Sequence, residues 1–433
     1  MWAFETCFYQ FYPMGVCGAP KQNDGVYVNR LKNIENFIPH LTKLGVGGVY
    51  FSPIFESDSH GYDTRDYGKI DCRLGNNEDF KNICDMMHKN DIKVVLDGVF
   101  NHVGRGFWAF KDVQEHRQNS RYKDWFKISF DGNSNYDDGF WYEGWEGHFE
   151  LVKLNLENPE VIDHILYNVG KWIDEFDIDG LRLDVAYMIN EHFLYRLREF
   201  CSSKKADFFI VGECIHGDYN RLLNYMDSVT NYECYKGLYS SFNSMNMFEI
   251  AHSLGRQFGC EQWCLYRGTH LMSFVDNHDV SRIASLIQDP GQLKALYAML
   301  FAMPGIPCIY YGSEWGQLGE KSHGDDALRP CIETPIWNEL TDFIAQLIKA
   351  KKESKALNYG DYFNLQIQNK YLILQRSCSE QRVIAIINAS GETHQAHFNA
   401  NCGRGIDLFT GDYHDFGGGS EIGGYEVKFI EAE

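Results

Sequence analysis

The chain of 433 residues lacks a long apolar run and is short of basic residues. No window of about 18 apolar residues occurs, so no transmembrane helix is predicted. The first residues, MWAFETCFYQFYP, contain neither a basic segment nor a small-residue cleavage site, and they are typical of a strand rather than a signal peptide. Lys and Arg number 40 against 60 Asp and Glu, and the net charge of −20 argues against nucleic acid or an anionic membrane as a partner.

The 13 cysteines do not form the pattern of a disulfide framework, because their number is odd and they are scattered along the chain. Cys260 and Cys264 are close in sequence, but no second pair lies nearby, so two ordinary thiols are favoured over a metal site. Reduced thiols are typical of the cytosol. A cytoplasmic location is therefore predicted.

Strand-like and helix-like segments alternate along most of the chain, which implies parallel strands joined by helical crossovers. No Gly-rich phosphate loop follows the first strand, and this argues against a nucleotide-binding open sheet. About eight strand candidates favour an α/β fold that closes into a (β/α)8 TIM barrel. The predicted strands include FETCFYQFYP (4–13), VGGVYFSP (46–53), IKVVLDGVF (92–100), GLRLDVA (180–186), FFIVGE (208–213), HLMSFVD (270–276) and IPCIYYG (306–312).

Two stretches interrupt this alternation. The third strand and the helix that begins at Pro159 are separated by a long segment rich in Gly, Asp, Tyr and Trp, which predicts an inserted domain over residues 101–155. Short alternating segments without a long helix predict a C-terminal antiparallel β domain over residues 356–433. The barrel is then assigned to residues 1–100 and 156–355.

Charged and imidazole side chains follow several predicted strands, at the end of the barrel where active sites are built. They are Asp97, Asn101 and His102 after the third strand, Arg182 and Asp184 on the fourth, Glu213 on the fifth, and Asp276, His278 and Asp279 after the seventh. A single Asp after a strand is usually a turn residue or a helix cap. Arg182 and Asp184 lie inside GLRLDVA and cannot be caps, so they are predicted to point into the barrel mouth while its leucines and Val185 pack outward.

These side chains suit catalysis on a sugar. Arg182 beside Asp184 favours an ionised carboxylate, as a nucleophile requires, whereas Glu213 has no neighbouring cation in the sequence and suits a general acid. Two carboxyl groups in these roles are typical of glycoside hydrolysis. Nearby aromatic side chains suit stacking on pyranose rings, with core filling as the alternative; they are Tyr62, Phe107, Trp108, Phe140, Trp141, Tyr142 and Trp145.

Six segments together resemble the α-amylase family of glycoside hydrolases. They are GYDTRDY (61–67), DGVFNH (97–102), GLRLDVA (180–186), VGE (211–213), FVDNHD (274–279) and YYGSEWG (310–316). They occur in the family's order, and the resemblance extends over nearly the whole chain. It therefore supports the barrel, the inserted domain and the C-terminal β domain.

The resemblance implies a role for each matching residue. Asp184 would be the nucleophile, Glu213 the acid/base, and Asp279 the third carboxylate, which binds the reacting sugar and stabilises the transition state. The implied mechanism is retaining double displacement, with the two reacting carboxyl groups about 5–5.5 Å apart. Substrate-binding roles are implied for Tyr62, His102, Arg182, His278, Asp325 and Arg329.

One branch of the family is indicated in particular. LVKLN (151–155) is similar to the segment that marks neopullulanases, cyclomaltodextrinases and maltogenic amylases, although Val152 stands where that branch usually has Pro. Val185 after the nucleophile also suits this branch, which often accepts α-1,6 as well as α-1,4 bonds. The chain begins at the first barrel strand, so the N-terminal domain of the branch is expected to be absent, and the oligomeric state is left open.

The resemblance implies an α-glucan hydrolase acting on maltooligosaccharides, starch-type glucans or cyclodextrins. An α-glucan transglycosylase is the alternative, because the same residues serve both reactions. A non-catalytic sugar-binding protein is less favoured, because all three carboxylates are present. No cofactor is expected to be required. Asn101 matches a calcium ligand of the family, but Met188 replaces the His that often follows the nucleophile, so calcium remains an open alternative.

Overall fold

The computed structural model describes residues 1–433, and its centre is a barrel of eight parallel strands. The strands are β1 (Phe8–Phe11), β2 (Gly48–Phe51), β3 (Lys93–Gly98), β4 (Gly180–Leu183), β5 (Phe209–Gly212), β6 (Ser228–Val229), β7 (Met272–Phe274) and β8 (Ile306–Tyr310). Their order in the sheet is β6-β5-β4-β3-β2-β1-β8-β7. A bridge between Thr230 and Met272 joins the two ends of this order, so the barrel is nearly closed and the predicted (β/α)8 fold is confirmed.

Helices cover the outside of the barrel because their apolar residues share one side. Helix Pro159–Phe176 begins as predicted, with the Asn158 side chain accepting the N–H of Glu160 and Pro159 in the first turn. Its predicted apolar face is buried. The other longer helices are Ile38–Leu44, Asn77–Lys89, Glu191–Lys204, Tyr232–Asn243, Met247–Phe258, Leu293–Ala302 and Glu339–Glu353. Short helices span Pro13–Val16, Lys32–Glu35, Tyr219–Leu223, Ile283–Leu286 and Lys355–Tyr359.

Inward-facing apolar side chains fill the barrel and form a floor beneath its mouth. This inner cluster is separate from the large core between the strands and the helices; its buried members are Ala3, Phe8, Tyr50, Val95, Phe209, Val211, Met272, Phe274, Ile306 and Cys308. Because the interior is packed, polar groups that face inward at the carboxyl ends of the strands must meet one another or a ligand.

The segment after β3 carries its own small sheet. Strand His102–Gly104 pairs antiparallel with His148–Lys153, which also pairs with Gly144–Trp145. Helix Trp108–His116 and the strand pair Ile128–Ser129 and Trp141–Tyr142 complete this segment. A hairpin after β2, formed by Phe55–Ser57 and Thr64–Ile70, holds Tyr62 at its tip.

An antiparallel sheet follows the barrel, as predicted. Its six strands run in the order Asp361–Ile367, Tyr371–Ser377, Arg382–Asn388, Val427–Ala432, Arg404–Asp407 and Tyr413–Asp415. His394–Ala396 and Ser420–Ile422 form a further pair beside it. None of the helices combines the length and the apolar character that crossing a membrane requires.

The segment GLRLDVA differs from its prediction at its last residues. Strand β4 ends at Leu183, and Leu181 and Leu183 pack in the outer core. Val185 has φ 39°, in the left-handed region that a β-branched side chain rarely adopts. The chain therefore turns immediately after Asp184, and Val185 lines the cleft at the barrel mouth instead of packing outward.

Candidate active site

Arg182 lies at the centre of the candidate site and contacts three carboxylates. Its Nη1 lies 3.0 Å from both carboxylate oxygens of Asp97 and 3.0 Å from Oδ1 of Asp184, and its Nη2 lies 2.7 Å from Oε1 of Glu213. The register of β4 against β3 puts Arg182 opposite Asp97, and the end of β5 brings Glu213 alongside. The inward orientation predicted for Arg182 and Asp184 is thus what the structure has.

Glu213 is held on both of its oxygens. The backbone N–H of Val185 donates to Oε2 at 3.0 Å, while Oε1 faces Arg182 and accepts from the Tyr232 hydroxyl at 3.4 Å. Glu213 has no cation beside it in the sequence, but in the fold Arg182 of the neighbouring strand contacts it. Sequence adjacency did not reveal this contact.

The protonation of this cluster depends on its charge balance, because a single cation, Arg182, contacts three carboxylates. Burial raises the pKa of Asp97 to about 7 despite the opposing guanidinium of Arg182. Burial also raises the pKa of Asp184 well above its ordinary value, and the negative charges of Glu213 and Asp97 add to this against the effect of Arg182. Arg182 opposes this shift at Asp184, in the direction that the sequence predicts, but it is shared with two further carboxylates. The cluster as a whole favours holding a proton.

Asp279 and His278 form a second group beside the first. His278 Nε2 lies 3.1 Å from Oδ2 of Asp279, and its Nδ1 accepts from the Gln10 amide at 2.7 Å. Burial lowers the pKa of His278 to about 3, so the ring is neutral and carries its proton on Nε2. The Tyr62 hydroxyl contacts both this ring and, at 3.2 Å, Oδ2 of Asp97, which links the two groups.

Arg329 and Asp325 extend this second group along the cleft. Arg329 Nη2 donates to Oδ1 of Asp279 at 3.0 Å and lies 3.4 Å from Oδ2 of Asp325. Although burial raises the pKa of Asp279, His278 and Arg329 outweigh it and leave that pKa below its ordinary value. Asp279 is therefore ionised, and its side chain is 40% exposed toward the cleft.

The cleft above these residues has a volume of about 1090 Å³ and contains buried polar atoms without a partner. His102 Nε2 lies 3.8 Å from Oδ2 of Asp184, beyond hydrogen-bond distance, and it has no partner; the indole nitrogen of Trp145 also has none. Burial lowers the pKa of His102 to about 3, so this ring is neutral. Unpaired donors in a cleft suit a ligand rich in hydroxyl groups.

The predicted aromatic residues divide into two sets. Tyr62 and Trp145 line the cleft, and the prediction holds for their position. For Phe107, Phe140 and Tyr142 the alternative holds, because they are buried in the core of the inserted segment, whereas Trp108 and Trp141 are exposed outside the cleft. Sequence proximity to the mouth could not separate these sets, because a folded insertion needs its own aromatic core.

Sequence reasoning missed three contributors. Gln10 on β1 orients His278, Tyr232 at the start of a helix contacts Glu213, and the backbone of Val185 holds Glu213. Gln10 was detectable, because it is a polar residue in the middle of a buried strand. The other two act through a helix start and a main-chain N–H, which no residue pattern marks.

The calcium role implied for Asn101 stays a prediction. Its side-chain amide donates to Nδ1 of His102 at 3.2 Å. The structure brings three metal-ligating side chains together elsewhere, at Glu56, Asp71 and Cys72, where Asp71 already accepts from Arg73. Asn101 does not belong to that group.

The barrel, the three carboxylates around one guanidinium and the donor-lined cleft define a glycoside hydrolase. Residues 20–354 match the alpha amylase catalytic domain, and the chain belongs to the alpha-amylase family.

Named relatives support the same branch that the sequence indicates. A maltogenic alpha-amylase from Bacillus acidopullulyticus is 34% identical over 90% of this chain and 70% of the relative, and neopullulanase 2 from Thermoactinomyces vulgaris is 32% identical with the same coverage. A solved cyclomaltodextrinase structure superimposes with a TM-score of 0.86 and 27% identity, covering 100% of this chain and 78% of the other. The predicted relation to this branch is confirmed.

Proposed function

We propose that the chain is a retaining α-glucan hydrolase that cleaves α-1,4 bonds, and also α-1,6 bonds, in maltooligosaccharides, starch-type glucans and cyclodextrins. The observation that carries this proposal is that Asp184 and Glu213 contact the two terminal nitrogens of one guanidinium beside a large cleft. The retaining double displacement is proposed from the resemblance to the α-amylase family, in which the residues matching Asp184 and Glu213 act as nucleophile and acid/base. The names of the relatives support the substrate class.

The proposed first step breaks the glycosidic bond. Protonated Glu213 donates its proton to the glycosidic oxygen while a carboxylate oxygen of Asp184 attacks the anomeric carbon, which forms a glycosyl ester and releases the shortened glucan. In the second step ionised Glu213 takes a proton from water, the water oxygen bonds to the anomeric carbon, and the ester bond to Asp184 breaks. Two inversions at one carbon retain the α configuration.

The remaining cleft residues would bind the reacting sugar. Asp279 is ionised and presents a carboxylate to sugar hydroxyls, while neutral His102 and His278 supply hydrogen bonds without competing charge. Asp97 would share the charge of Arg182 with Asp184, since Nη1 of Arg182 contacts both carboxylates. Tyr62 presents its ring at the same wall of the cleft and would stack on the sugar.

The test combines the anomeric configuration of the first product with two substitutions. Proton NMR of an aryl α-maltoside digest should show α-maltose before mutarotation. Asp184→Asn and Glu213→Gln should each lower kcat by at least about 10⁴-fold, because each removes a group that acts on the reacting atoms. Asp174→Asn, at an exposed carboxylate paired with Lys204, is the matched control and should keep full activity. Appearance of β-maltose first would overturn the retaining mechanism.

A glucan transglycosylase is the second candidate, favoured by the apolar wall beside Glu213. Val185, Leu151 and Ile215 line the cleft, and Ile215 is 44% exposed there. An apolar surface at this position can hold the face of an acceptor sugar in place of water. Early formation of oligosaccharides longer than the maltoheptaose substrate would favour transfer, whereas only shorter products would favour hydrolysis.

The state of the cysteines bears on the cellular location of the protein. All thirteen cysteines are free, and seven of them are buried, including Cys7, Cys84 and Cys308. Free thiols in this number suit a reducing compartment. We therefore propose a cytoplasmic location, which fractionation of the native host cells would test.

A further inference from the structure

A second cavity lies at the opposite end of the barrel from the catalytic cleft. It has a volume of about 170 Å³ and is lined by residues that precede β7 and β8, such as His270 and Gly305, together with Asn358, Asp361 and Arg376 from the junction with the C-terminal sheet. Junctions between domains are common places for small ligands. The volume is several times the roughly 30 Å³ of one water molecule, which is enough for a tetrahedral oxyanion.

Arg376 is a buried cation in this cavity that has no carboxylate partner. Its side chain is 1% exposed, and it donates only to backbone carbonyls: Nε and Nη2 to Gly360, and Nη1 to Ala302. A guanidinium has five N–H groups, so two remain without a protein acceptor. A buried charge that lacks a counter-ion is costly, and this one faces a cavity.

The other charged groups nearby leave Arg376 without a free counter-ion. Lys351, behind the cavity wall, is 2% exposed and donates to the Leu357 carbonyl, and burial together with the charge of Arg376 lowers its pKa, so it is not counted as a cation of the site. At the mouth, Arg267 pairs with Asp361 at 2.7 Å, so that carboxylate is already neutralised. Arg376 therefore keeps an unpaired buried charge in a chain whose net charge is −20.

The same cavity also contains an acceptor without a donor. The Asn358 side chain is 4% exposed and donates to the Lys351 carbonyl, but its Oδ1 is buried without a partner. A ligand that suits the cavity therefore needs anionic oxygens for the guanidinium and one hydroxyl for this amide oxygen. A phosphoryl group that carries one proton, or a phosphoester with a nearby hydroxyl, has both.

We propose that this cavity binds a phosphoryl group, with Arg376 as the buried anchor, Arg267 at the mouth and Asn358 as the hydroxyl acceptor. Arginine suits phosphate because its planar fork offers two parallel hydrogen bonds. The site is separate from the catalytic carboxylates, since it opens at the other end of a filled barrel. Inorganic phosphate and a small phosphoester such as glucose 1-phosphate share this chemistry.

The test is calorimetric titration of the full chain with inorganic phosphate at constant ionic strength, with sodium chloride as the balancing salt. Wild-type protein should bind one phosphate saturably. Arg376→Gln should raise the Kd at least about tenfold and Arg267→Ala about fivefold, because each removes a charge-assisted contact. The matched control is Arg404→Ala, since Arg404, like Arg267, is an exposed arginine paired with a carboxylate, that of Glu433, but does not line the cavity; its Kd should stay within about twofold of wild type.

Arg267→Ala keeps the test decisive if the buried substitution prevents folding, because Arg267 is half exposed. No saturable heat with phosphate up to about 20 mM, or unchanged binding in the folded variants, would overturn the proposal. Glucose 1-phosphate identifies the source: tighter binding than inorganic phosphate indicates an ester, and equal binding indicates the free ion. The measurement contains no glucan, so its outcome does not depend on the proposed catalytic function.

Discussion

Arg182 is the residue on which the electrostatics of the cleft depend. One buried guanidinium contacts Asp97, Asp184 and Glu213, and it is 3% exposed. Taking three carboxylates out of water against a single cation leaves negative charge in excess. The cluster therefore stores a proton, which a general acid requires, and it does so at the expense of stability when the solution is alkaline.

Asp97 offers a test of this stored proton through protein stability. Burial raises its pKa from 3.8 to about 7 in the folded chain, so the folded state holds the proton more tightly than the unfolded state. The contribution of Asp97 to the free energy of unfolding should thus fall as the pH rises from about 4 to about 7. The scale is about 1.4 kcal/mol for each pKa unit.

Asp97→Asn should remove this loss. Urea unfolding between pH 4 and pH 8 should show a weaker decline of stability with pH in the variant than in the wild type. Asp163→Asn, an exposed carboxylate on a helix, serves as the control and should keep the wild-type slope. Parallel pH profiles for wild type and Asp97→Asn would contradict the stored proton.

Arg329 offers a test of a lowered pKa, that of Asp279, in contrast to the raised pKa of Asp97. Burial raises the pKa of Asp279, but His278 and Arg329 bring it below its ordinary value. Arg329→Gln should therefore move the acid limb of kcat/KM to higher pH and lower its maximum by about 10- to 100-fold. The readout is the pH profile with an aryl maltoside. Arg329→Lys retains a positive charge and should recover the position of the acid limb, although not the full rate; an unmoved limb in Arg329→Gln would exclude this role.

At the scale of elements, the helix after the inserted segment shows how a cap couples two parts of the fold. Asn158 accepts the N–H of Glu160 and also donates to the Asp124 carbonyl in the insertion. Asn158→Ala should lower the free energy of unfolding by about 1 kcal/mol, the usual value of an N-cap. Asn158→Asp keeps the cap and removes the donor, so equal losses in the two variants would assign the effect to the Asp124 contact. Chemical denaturation followed by tryptophan fluorescence measures both.

Elements with a strong periodic pattern could be predicted from the sequence, whereas short or turned ones could not. Helix Pro159–Phe176 lies where its spacing indicates, because many apolar residues share one face. Strand β6 has only Ser228 and Val229, too few for any alternation, and the sequence analysis did not locate it. The predicted strand over residues 4–13 begins late, because Trp2–Glu5 form a turn of 3-10 helix beneath the barrel.

The candidate site could be predicted where its residues follow strands and not where they follow turns. Arg182, Asp184 and Glu213 meet because the carboxyl ends of parallel strands lie at the same end of the barrel. This rule can be applied to a sequence alone. Val185 breaks the strand pattern with a positive φ, and only the folded backbone shows that its N–H reaches Glu213. Strain of this kind, which costs about 1–3 kcal/mol, is concentrated at functional sites.

At the scale of the whole molecule, the negative net charge acts differently on charged ligands and on neutral sugars. The chain has a net charge of −20, and its catalytic cleft is lined by Asp184, Glu213, Asp279 and Asp325 among others. A field of this sign attracts cations and is screened by salt, but it has little effect on a neutral sugar. The phosphoryl site proposed at the other end of the barrel would be an exception, since its anchor Arg376 is a buried cation.

This difference predicts how activity and inhibition respond to salt. Between about 20 and about 500 mM sodium chloride, kcat/KM for a neutral maltoside should change by less than about twofold, because no charge is steered. A maltose-sized inhibitor with a protonated ring nitrogen should lose affinity by about tenfold over the same range, because salt screens the attraction of its positive charge to the carboxylates of Asp184 and Asp279. An uncharged thio-sugar inhibitor of equal size is the control and should show no loss. Equal salt dependence of the two inhibitors would mean that the acidic cleft does not act on a cationic ligand through its electrostatic field.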